Sequence, residues 1–276
     1  MTLEQFNQIR TPMAFALMAV LLLWEGAVPF FLQSRSKGER LSHGTKNVFL
    51  GILNAVVTAL LFTSLWLAVA EWAAAHRFGL LRLVPLPPWL HALGAVLLMD
   101  LWTYWWHRVC HRIPMLWNFH RVHHSDAAMD VTTANRFHLG EMLASSVLRL
   151  GVIPLAGIEF WHLALYELLM FSVVQFQHAN ISVGRAFDRC LRLVIVTPFM
   201  HKVHHSDRQP ETDSNYASLF SIWDRIFGSF RLREDPSAIR LGLREFDAVE
   251  HQTVAGLLRT PFAKVPPEKH DGSRRS

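Results

Sequence analysis

Long apolar blocks separated by short polar stretches fill the first two thirds of the chain. Residues 11–32 and 48–70 are each long enough to cross about 30 Å of hydrocarbon as helices that rise about 1.5 Å per residue. Residues 89–106 form a third block, which ends in a run of Trp and Tyr side chains. Because Trp and Tyr concentrate where a membrane meets water, this end is expected at the interface. The pattern predicts three membrane helices.

Two further apolar segments, residues 139–156 and 160–176, meet near Pro154 and Gly157. They predict a helical hairpin that enters the bilayer and returns to the side from which it came. Residues 191–196 are too short to span and are expected at the interface. The predicted fold is therefore an all-α integral membrane protein with about four to five membrane helices, including the hairpin, and a cytoplasmic helical cap.

Basic side chains indicate how these helices are oriented. Residues 34–46 carry two Lys and two Arg between the first two blocks, which predicts a cytoplasmic position for this stretch. The third helix then returns to the cytoplasm, and the hairpin keeps both of its ends there. Glu25, inside the first block, is expected to reach the interface. The Pro-, Lys- and Arg-rich tail from about Thr260 is predicted to be disordered.

The composition narrows the class of protein. Hydrophobic residues make up 51% of the 276 residues, and the mean hydropathy is +0.20. The net charge of +5 lies around the apolar blocks, which favours an anionic membrane surface over nucleic acid as a partner. Two cysteines, Cys110 and Cys190, imply no disulfide framework and fit a reducing compartment. The sixteen histidines are the unusual feature, because at least half of them fall in three clusters.

The three clusters have the spacing of metal ligands on helices. His107 and His111 are four residues apart, so they share one face of a helix. Each of the other two clusters has histidines at positions i, i+3 and i+4. These clusters are His120, His123 and His124, and His201, His204 and His205. A single histidine is more often an ordinary hydrogen-bonded side chain, but crowded imidazoles repel when they are protonated, and a cation turns that cost into binding.

The number of histidines indicates two metal ions. Imidazole binds Zn, Cu, Fe and Ni, so the ligand type alone does not select the metal. A structural zinc site needs only four ligands, and eight imidazoles exceed the need of one ion. The sequence contains no His-Glu-x-x-His motif, which removes the general base of a metalloprotease. Two redox ions beside an apolar helical bundle point to iron and oxygen chemistry on a lipid.

At this point the sequence resembles the fatty acid hydroxylase/sterol desaturase superfamily. The resembling segments are 100–111, 116–126 and 197–207, followed by Asn215-Tyr216 and the 221–228 ending Ser-Ile-Trp-Asp-Arg-Ile-Phe-Gly. The resemblance covers residues 100 to 230. It implies two iron ions, O₂ as co-substrate, and hydroxylation or desaturation of an unactivated C–H bond of a fatty acyl chain or sterol.

The resemblance also suggests further site residues. His178 and His138 match additional ligand positions, although Gln177 and Leu139 depart from the expected neighbouring residues. Asp100 and Tyr104 are the candidate catalytic residues: they lie on the same helical stripe as His107 and His111, and Asp100 could accept the free N–H of a ligand histidine. Asp126 and Asp207, which follow the second and third clusters, are similar candidates. The remaining histidines, His43 among them, are interpreted as ordinary.

The predicted organisation is residues 1–98 as N-terminal membrane helices, 99–235 as the catalytic domain, and 236–276 as a cytoplasmic extension. No dinucleotide-binding, haem-attachment or ferredoxin motif is present, and too few residues precede Thr11 for a fused cytochrome domain. A separate ferredoxin, cytochrome or reductase is therefore expected to supply electrons. Two alternatives use the same histidines: a membrane metal transporter and a non-catalytic metal-binding scaffold.

Overall fold

The computed structural model describes residues 3–32 and 35–264, and the regular secondary structure of this part of the chain is helical. Only isolated β-bridges, and no strands, occur among these residues. Eleven α-helices are described: α1 Leu3–Ala27, α2 Lys37–Ala75, α3 Pro88–Arg112, α4 Pro114–His124, α5 Leu139–Ala156, α6 Phe160–His178, α7 Arg185–Leu191, α8 Pro198–His204, α9 Gln209–Thr212, α10 Ile222–Ile226 and α11 Val254–Arg259.

Two helices extend beyond the apolar blocks from which they were predicted. α2 begins at Lys37, well before the block at 48–70, because Ser36 and Glu39 form a capping box at its first turn. The basic stretch that precedes the second block is therefore mostly helical. α3 continues past the aromatic run to Arg112 and ends just before Pro114. This extension places the first histidine cluster on the same helix as the third apolar block.

The two apolar segments that were predicted to form a hairpin are helices, α5 and α6, joined by a short connection that begins at Gly157. Gly157 ends α5 in the left-handed conformation with φ of 76°, whereas Pro154 lies inside the last turn of the helix. A Cβ atom on Gly79 would lie 2.3 Å from the Cα of Gly157. The backbones can therefore approach closely here only because both residues are glycine.

Apolar surface is distributed as expected for contact with lipid. The main core lies between α2, α3, α5 and α6, and it includes Trp66, Met99, Ile153 and Tyr166. By length and hydropathy, two segments of the described chain could span a membrane: Lys37–Arg82 and Leu139–Ala156. The first of these also exposes large side chains such as Leu60, which is 77% exposed. The total of four or five membrane helices stays a prediction.

The C-terminal extension packs against the histidine-bearing helices. Leu257 of α11 is buried with Leu50 and Val122. Arg121 of α4 donates hydrogen bonds to the carbonyl oxygens of Thr260 and Ala263. The chain is therefore ordered beyond Thr260, where the sequence predicted a disordered tail, because these carbonyls are held by a buried guanidinium. The rest of that predicted tail, residues 265–276, lies outside the described residues.

Candidate metal centre

Nine of the ten predicted histidine ligands come together in two adjoining groups. The first group consists of His107, His111, His120, His124 and His204, and the second of His123, His178, His201 and His205. Within each group the ligand nitrogen atoms, one from each residue, lie within 4.8 Å of one another. The groups touch where the rings of His124 and His205 stack with centroids 4.4 Å apart. The arrangement offers two metal positions side by side.

Four helices supply these side chains. α3 carries the first pair, α4 the second cluster, the C-terminal end of α8 the third, and the last residue of α6 is His178. The second cluster divides between the groups, since His120 and His124 share a helix face and His123 is rotated away from it. The third cluster divides in the opposite sense, with His201 and His205 in the second group and His204 in the first. Each of these two clusters therefore contributes to both metal positions.

Hydrogen bonds at Nδ1 fix the orientation of four of the rings. The Nδ1–H groups of His107, His178 and His204 donate to the carbonyl oxygens of Tyr216, Val174 and Ser214 at 2.8, 2.7 and 2.6 Å. The Nδ1–H of His120 donates to Oε1 of Glu141 at 2.9 Å. With the proton on Nδ1, each Nε2 keeps a lone pair that can bind a metal ion.

The surroundings of the Nε2 atoms show whether metal ions would fit between the rings. Nε2 is buried, without a hydrogen-bond partner among the described residues, in His107, His111, His120, His124, His204 and His205. A buried polar atom without a partner costs about 1–3 kcal/mol. In the second group, Nε2 of His178 lies 3.0 Å from Nε2 of both His123 and His201. Neighbouring imidazole ligands of one ion, each about 2.1 Å from it, also lie about 3 Å apart. The donor set therefore fits two metal ions.

Burial keeps four of the imidazoles in the neutral form. Loss of hydration, reinforced by neighbouring imidazoles, holds the pKa of His123, His124, His201 and His205 well below the usual value. A metal ion binds the neutral ring, because a proton on the ligand nitrogen blocks the bond. The site therefore presents ligands that need not lose protons before they bind a cation near neutral pH.

His138 lies outside both groups, so the structure does not bring this predicted ligand together with the other nine. It is the N-cap of α5, where Nδ1 accepts a hydrogen bond from the backbone N–H of Gly140 at 2.9 Å. Its Nε2–H faces the carbonyl oxygen of Leu258 at 3.3 Å. Both ring nitrogens are thus engaged in local structure, and neither is directed at the histidine groups.

Asp100 and Tyr104 are also placed differently from the prediction. The Asp100 carboxylate accepts hydrogen bonds from the backbone N–H groups of Leu219 and Phe220 and from Nε1 of Trp223, at 2.8 to 3.2 Å. The hydroxyl of Tyr104 bonds to Ser229 at 2.7 Å and to Arg108 at 2.9 Å. No hydrogen bond joins either of them to a ligand histidine among the described residues. They brace residues 219–229 against α3.

The acidic residues that follow the second and third clusters are likewise not partners of ligand histidines. Asp126 accepts from Nε2 of His43 at 2.9 Å and from the Thr133 hydroxyl at 2.7 Å. Asp207 pairs with Arg244 at 2.8 Å. His43, interpreted as ordinary, is buried and also contacts Asp130 at 3.1 Å. His43, Asp126 and Asp130 tie α2 to the segment after α4 and so hold the second cluster in place.

Two buried acids have roles that the sequence did not predict. Glu141 orients His120, and the only signal for it was its place in the segment that resembles the family around His138. Glu25 is 3% exposed, so its carboxyl group is buried within the protein. One of its carboxylate oxygens accepts the backbone N–H groups of Val131 and Asn180, both at 2.7 Å. Glu25 therefore connects α1 to the segments beside the histidines.

An apolar pocket adjoins the second group. It has a volume of about 670 Å³ and lies between α1, α2, α5 and α6. Phe137 lines its end near the histidines, and the Phe137 ring stacks on the ring of His123 with centroids 4.2 Å apart. The Phe137 side chain thus contacts both the pocket and a metal ligand. The volume is within the range of small-molecule binding sites.

Comparison with known proteins gives a consistent set of similarities. Residues 92–229 match the model of the fatty acid hydroxylase family. Human alkylglycerol monooxygenase is 29% identical over 78% of this chain and 46% of its own length. The ornithine lipid hydroxylase OlsE of Rhizobium tropici is 30% identical over 50% of this chain and 40% of its own. Human cholesterol 25-hydroxylase is 28% identical over 53% of each chain.

The alignments leave part of each relative unmatched. The chain spans about half or less of the length of these three proteins. No solved structure matches this chain. The matched residues 92–229 contain all nine histidines of the two groups.

Proposed function

Because the chain belongs to the fatty acid hydroxylase family, we propose that it is an O₂-dependent oxidoreductase that hydroxylates or desaturates an unactivated C–H bond of a lipid. The relatives are named monooxygenase and hydroxylase, and their names include alkylglycerol, ornithine lipid and cholesterol. One structural observation carries the proposal. Nine buried histidines converge in two groups beside an apolar pocket, and most of their Nε2 atoms have no other partner among the described residues.

Two iron ions are the proposed cofactors. The five histidines of the first group would hold one ion and the four of the second group the other. Iron bound there would supply the activation of O₂ that oxidation of a saturated carbon requires. Imidazole suits iron as well as zinc, copper and nickel, so the metal is decided by measurement.

The residues of this chain position the reactants and exclude water. The carbonyl oxygens of Tyr216, Ser214 and Val174 hold three ligand rings, and Glu141 holds the fourth. The nine histidine side chains are almost completely shielded from solvent, including that of His111, which is 1% exposed. The pocket would fix the carbon to be oxidised close to the ligands, and correct placement alone accounts for a large part of many rate enhancements.

The distribution of apolar and basic side chains supports a route for the substrate and a side of the membrane for the histidine groups. The substrate would enter from the bilayer, because the pocket is lined by side chains that are also exposed on the outer faces of α1 and α2, such as Phe15, Ile52 and Val56. The basic residues at the start of α2 support a cytoplasmic position for the histidine groups. Each turnover would draw electrons from a separate ferredoxin, cytochrome or reductase.

Metal content and oxygen uptake test this proposal together. The full chain, purified in detergent after expression with ample iron, is expected to contain about two irons per chain and to consume O₂ in a lipid-dependent reaction. His178→Ala/His201→Ala should remove the ion of the second group and leave the first. His76→Ala, at an exposed histidine far from the groups in sequence, is the matched control and should keep both ions.

Other outcomes would contradict the proposal. One zinc per chain with no iron would favour the metal-binding scaffold. If the protein contains iron and transports metal into vesicles but consumes no O₂, the result would favour the transporter.

A further inference from the structure

A second pocket lies between α7 and residues 232–236 and shares no lining residue with the apolar pocket. Its volume is about 440 Å³, and its wall includes the apolar side chains of Phe30, Ile181 and Phe199. Six charged residues also line it: Arg185, Arg189, Arg192, Arg233, Asp188 and Glu234. This basic pocket therefore has four positive side chains and two negative ones.

Two of the four arginines are already paired within the protein. Arg192 forms an ion pair with Asp188 at 2.8 Å, one turn earlier in the chain. Arg233 forms an ion pair with Glu211 of α9 at 3.3 Å. These two guanidinium groups are half-buried and have a carboxylate beside them, so they stabilise the wall of the basic pocket and add little net charge to it.

Arg185 and Arg189 are the positive charges that remain. Both are exposed, and neither forms an ion pair with another described residue. They are four residues apart on α7, so their side chains leave the same face of the helix, where like charges repel. Together they outnumber Glu234, the exposed acid of the pocket. Guanidinium groups match phosphate oxygens in geometry, so a phosphate between these two arginines would relieve their repulsion.

α7 is amphipathic, with apolar side chains that do not face the basic pocket. Its charged pocket-lining residues, between positions 185 and 192, have the i, i+3, i+4 and i+7 spacing of one helix face. Phe187 lies on another face and is 59% exposed, and Leu193 and Val194, just after the helix, are 65% and 58% exposed. Basic side chains on one side and large apolar side chains on the other are typical of a segment at the membrane–water interface.

Contacts with α3 place this segment beside the apolar part of the helical bundle. The backbone N–H of Ser221 donates to the carbonyl oxygen of Val194 at 3.1 Å, and the adjacent Phe220 donates its N–H to Asp100 at 2.9 Å. Asp100 lies seven residues before His107, which is about 10 Å along α3 and inside the third apolar block. The exposed apolar side chains after α7 are therefore level with residues predicted to lie in the bilayer.

We propose that the basic pocket binds the phosphate group of an anionic glycerophospholipid from the surrounding bilayer through Arg185 and Arg189, while Phe187 and Val194 contact the acyl chains. Binding of this lipid requires neither metal nor turnover, so it does not rest on the proposed function. Phe199 lines the pocket and lies two residues before His201 on α8. A bound lipid would therefore also support the helix that carries the third histidine cluster.

Two lipids with the same acyl chains test the requirement for negative charge. The full chain in detergent is titrated with dioleoylphosphatidylglycerol, which is anionic, and with dioleoylphosphatidylcholine, which has no net charge. Native mass spectrometry resolves the bound lipids and gives an affinity for each. The unchanged protein is expected to bind the anionic lipid about tenfold more tightly, because two basic side chains act on its phosphate.

Substitutions locate the site of this preference. Arg185→Gln/Arg189→Gln should reduce the tenfold preference to less than about threefold, and both side chains are exposed and unpaired, so the fold should be retained. Arg40→Gln/Arg259→Gln is the matched control, because it removes the same charge from exposed positions outside the basic pocket. The control should keep the full preference.

A native cysteine reports whether this face of the protein meets the bilayer. Cys190 is exposed and lies three residues after Phe187, whereas Cys110 is buried. A nitroxide label on Cys190 of the full chain in nanodiscs should be reached more readily by O₂, which concentrates in lipid, than by a water-soluble nickel complex. Cys190→Ser, treated with the same reagent, measures the background from Cys110.

Four results would overturn the proposal. Equal affinity for the two lipids would remove the requirement for charge, and equal losses in the two double variants would show a general effect of surface charge. Displacement of the anionic lipid by soluble glycerol phosphate at a similar concentration would assign the pocket to a free phosphate compound. A Cys190 label reached mainly by the nickel complex would place α7 in water, where its basic face would fit an acidic protein.

Discussion

The ring of Phe137 stacks on the ring of His123, with centroids 4.2 Å apart and ring planes 13° from parallel. Phe137 also lines the apolar pocket. The side chain therefore contacts both the space proposed for the lipid and a metal ligand, and it limits the access of water and the position of the lipid carbon.

Replacement of Phe137 is expected to uncouple O₂ consumption from lipid oxidation. In Phe137→Ala the wall is lost and the substrate carbon is held less firmly, so product formed per O₂ consumed should fall by about tenfold or more. Metal content should stay near two ions per chain. Phe262→Ala, at a residue that is 75% exposed, should leave the ratio unchanged. Loss of metal from Phe137→Ala would show instead that the ring supports the ligands themselves.

Substitution of Glu141 is expected to weaken metal binding through His120. Glu141→Ala removes the acceptor of the Nδ1–H group at 2.9 Å, and loss of such a partner typically costs about 10–100-fold in metal affinity. Glu141→Gln retains an oxygen acceptor and should lose far less. Competition with a chelator of known affinity measures the effect. Equal losses in the two variants would argue against this orienting role.

Substitution of His138 is expected to affect stability but not metal content. His138→Ala removes the side-chain cap of α5, and a lost N-cap costs about 1 kcal/mol of unfolding free energy. His138→Asn should restore much of that stability, because asparagine is a strong N-cap residue. Thermal unfolding in detergent and elemental analysis are measured on the same samples. Loss of an ion from His138→Ala would restore His138 to the ligand set.

Substitution of Asp100 separates a bracing role from a catalytic one. In Asp100→Asn an NH₂ group would face the hydrogen-bond donors that now bind the carboxylate, which should cost about 1–3 kcal/mol of unfolding free energy. The rate of lipid oxidation per bound metal should change little at a temperature where the variant is folded. Abolished turnover with unchanged stability and metal content would assign Asp100 to the chemistry.

The sequence predicted the elements of this fold that depend on nearby residues. The apolar blocks predicted the principal helices and the hairpin, because helix formation and burial of an apolar face follow from side chains a few positions apart. The spacing within the three histidine clusters indicated two metal ions for the same reason. The histidine clusters and the motifs beside them resembled a single family, and the family match over residues 92–229 confirms that resemblance.

Only the tertiary structure decided how these elements meet. Asp100 binds Phe220, 120 residues away, and Glu25 binds Asn180, 155 residues away, and no local pattern encodes either partner. The division of each i, i+3, i+4 cluster between two groups depends on how α4 and α8 cross α3 and α6, and His138 is excluded because it caps a helix. Local sequence determined which side chains can bind a metal, whereas long-range packing decided which of them converge.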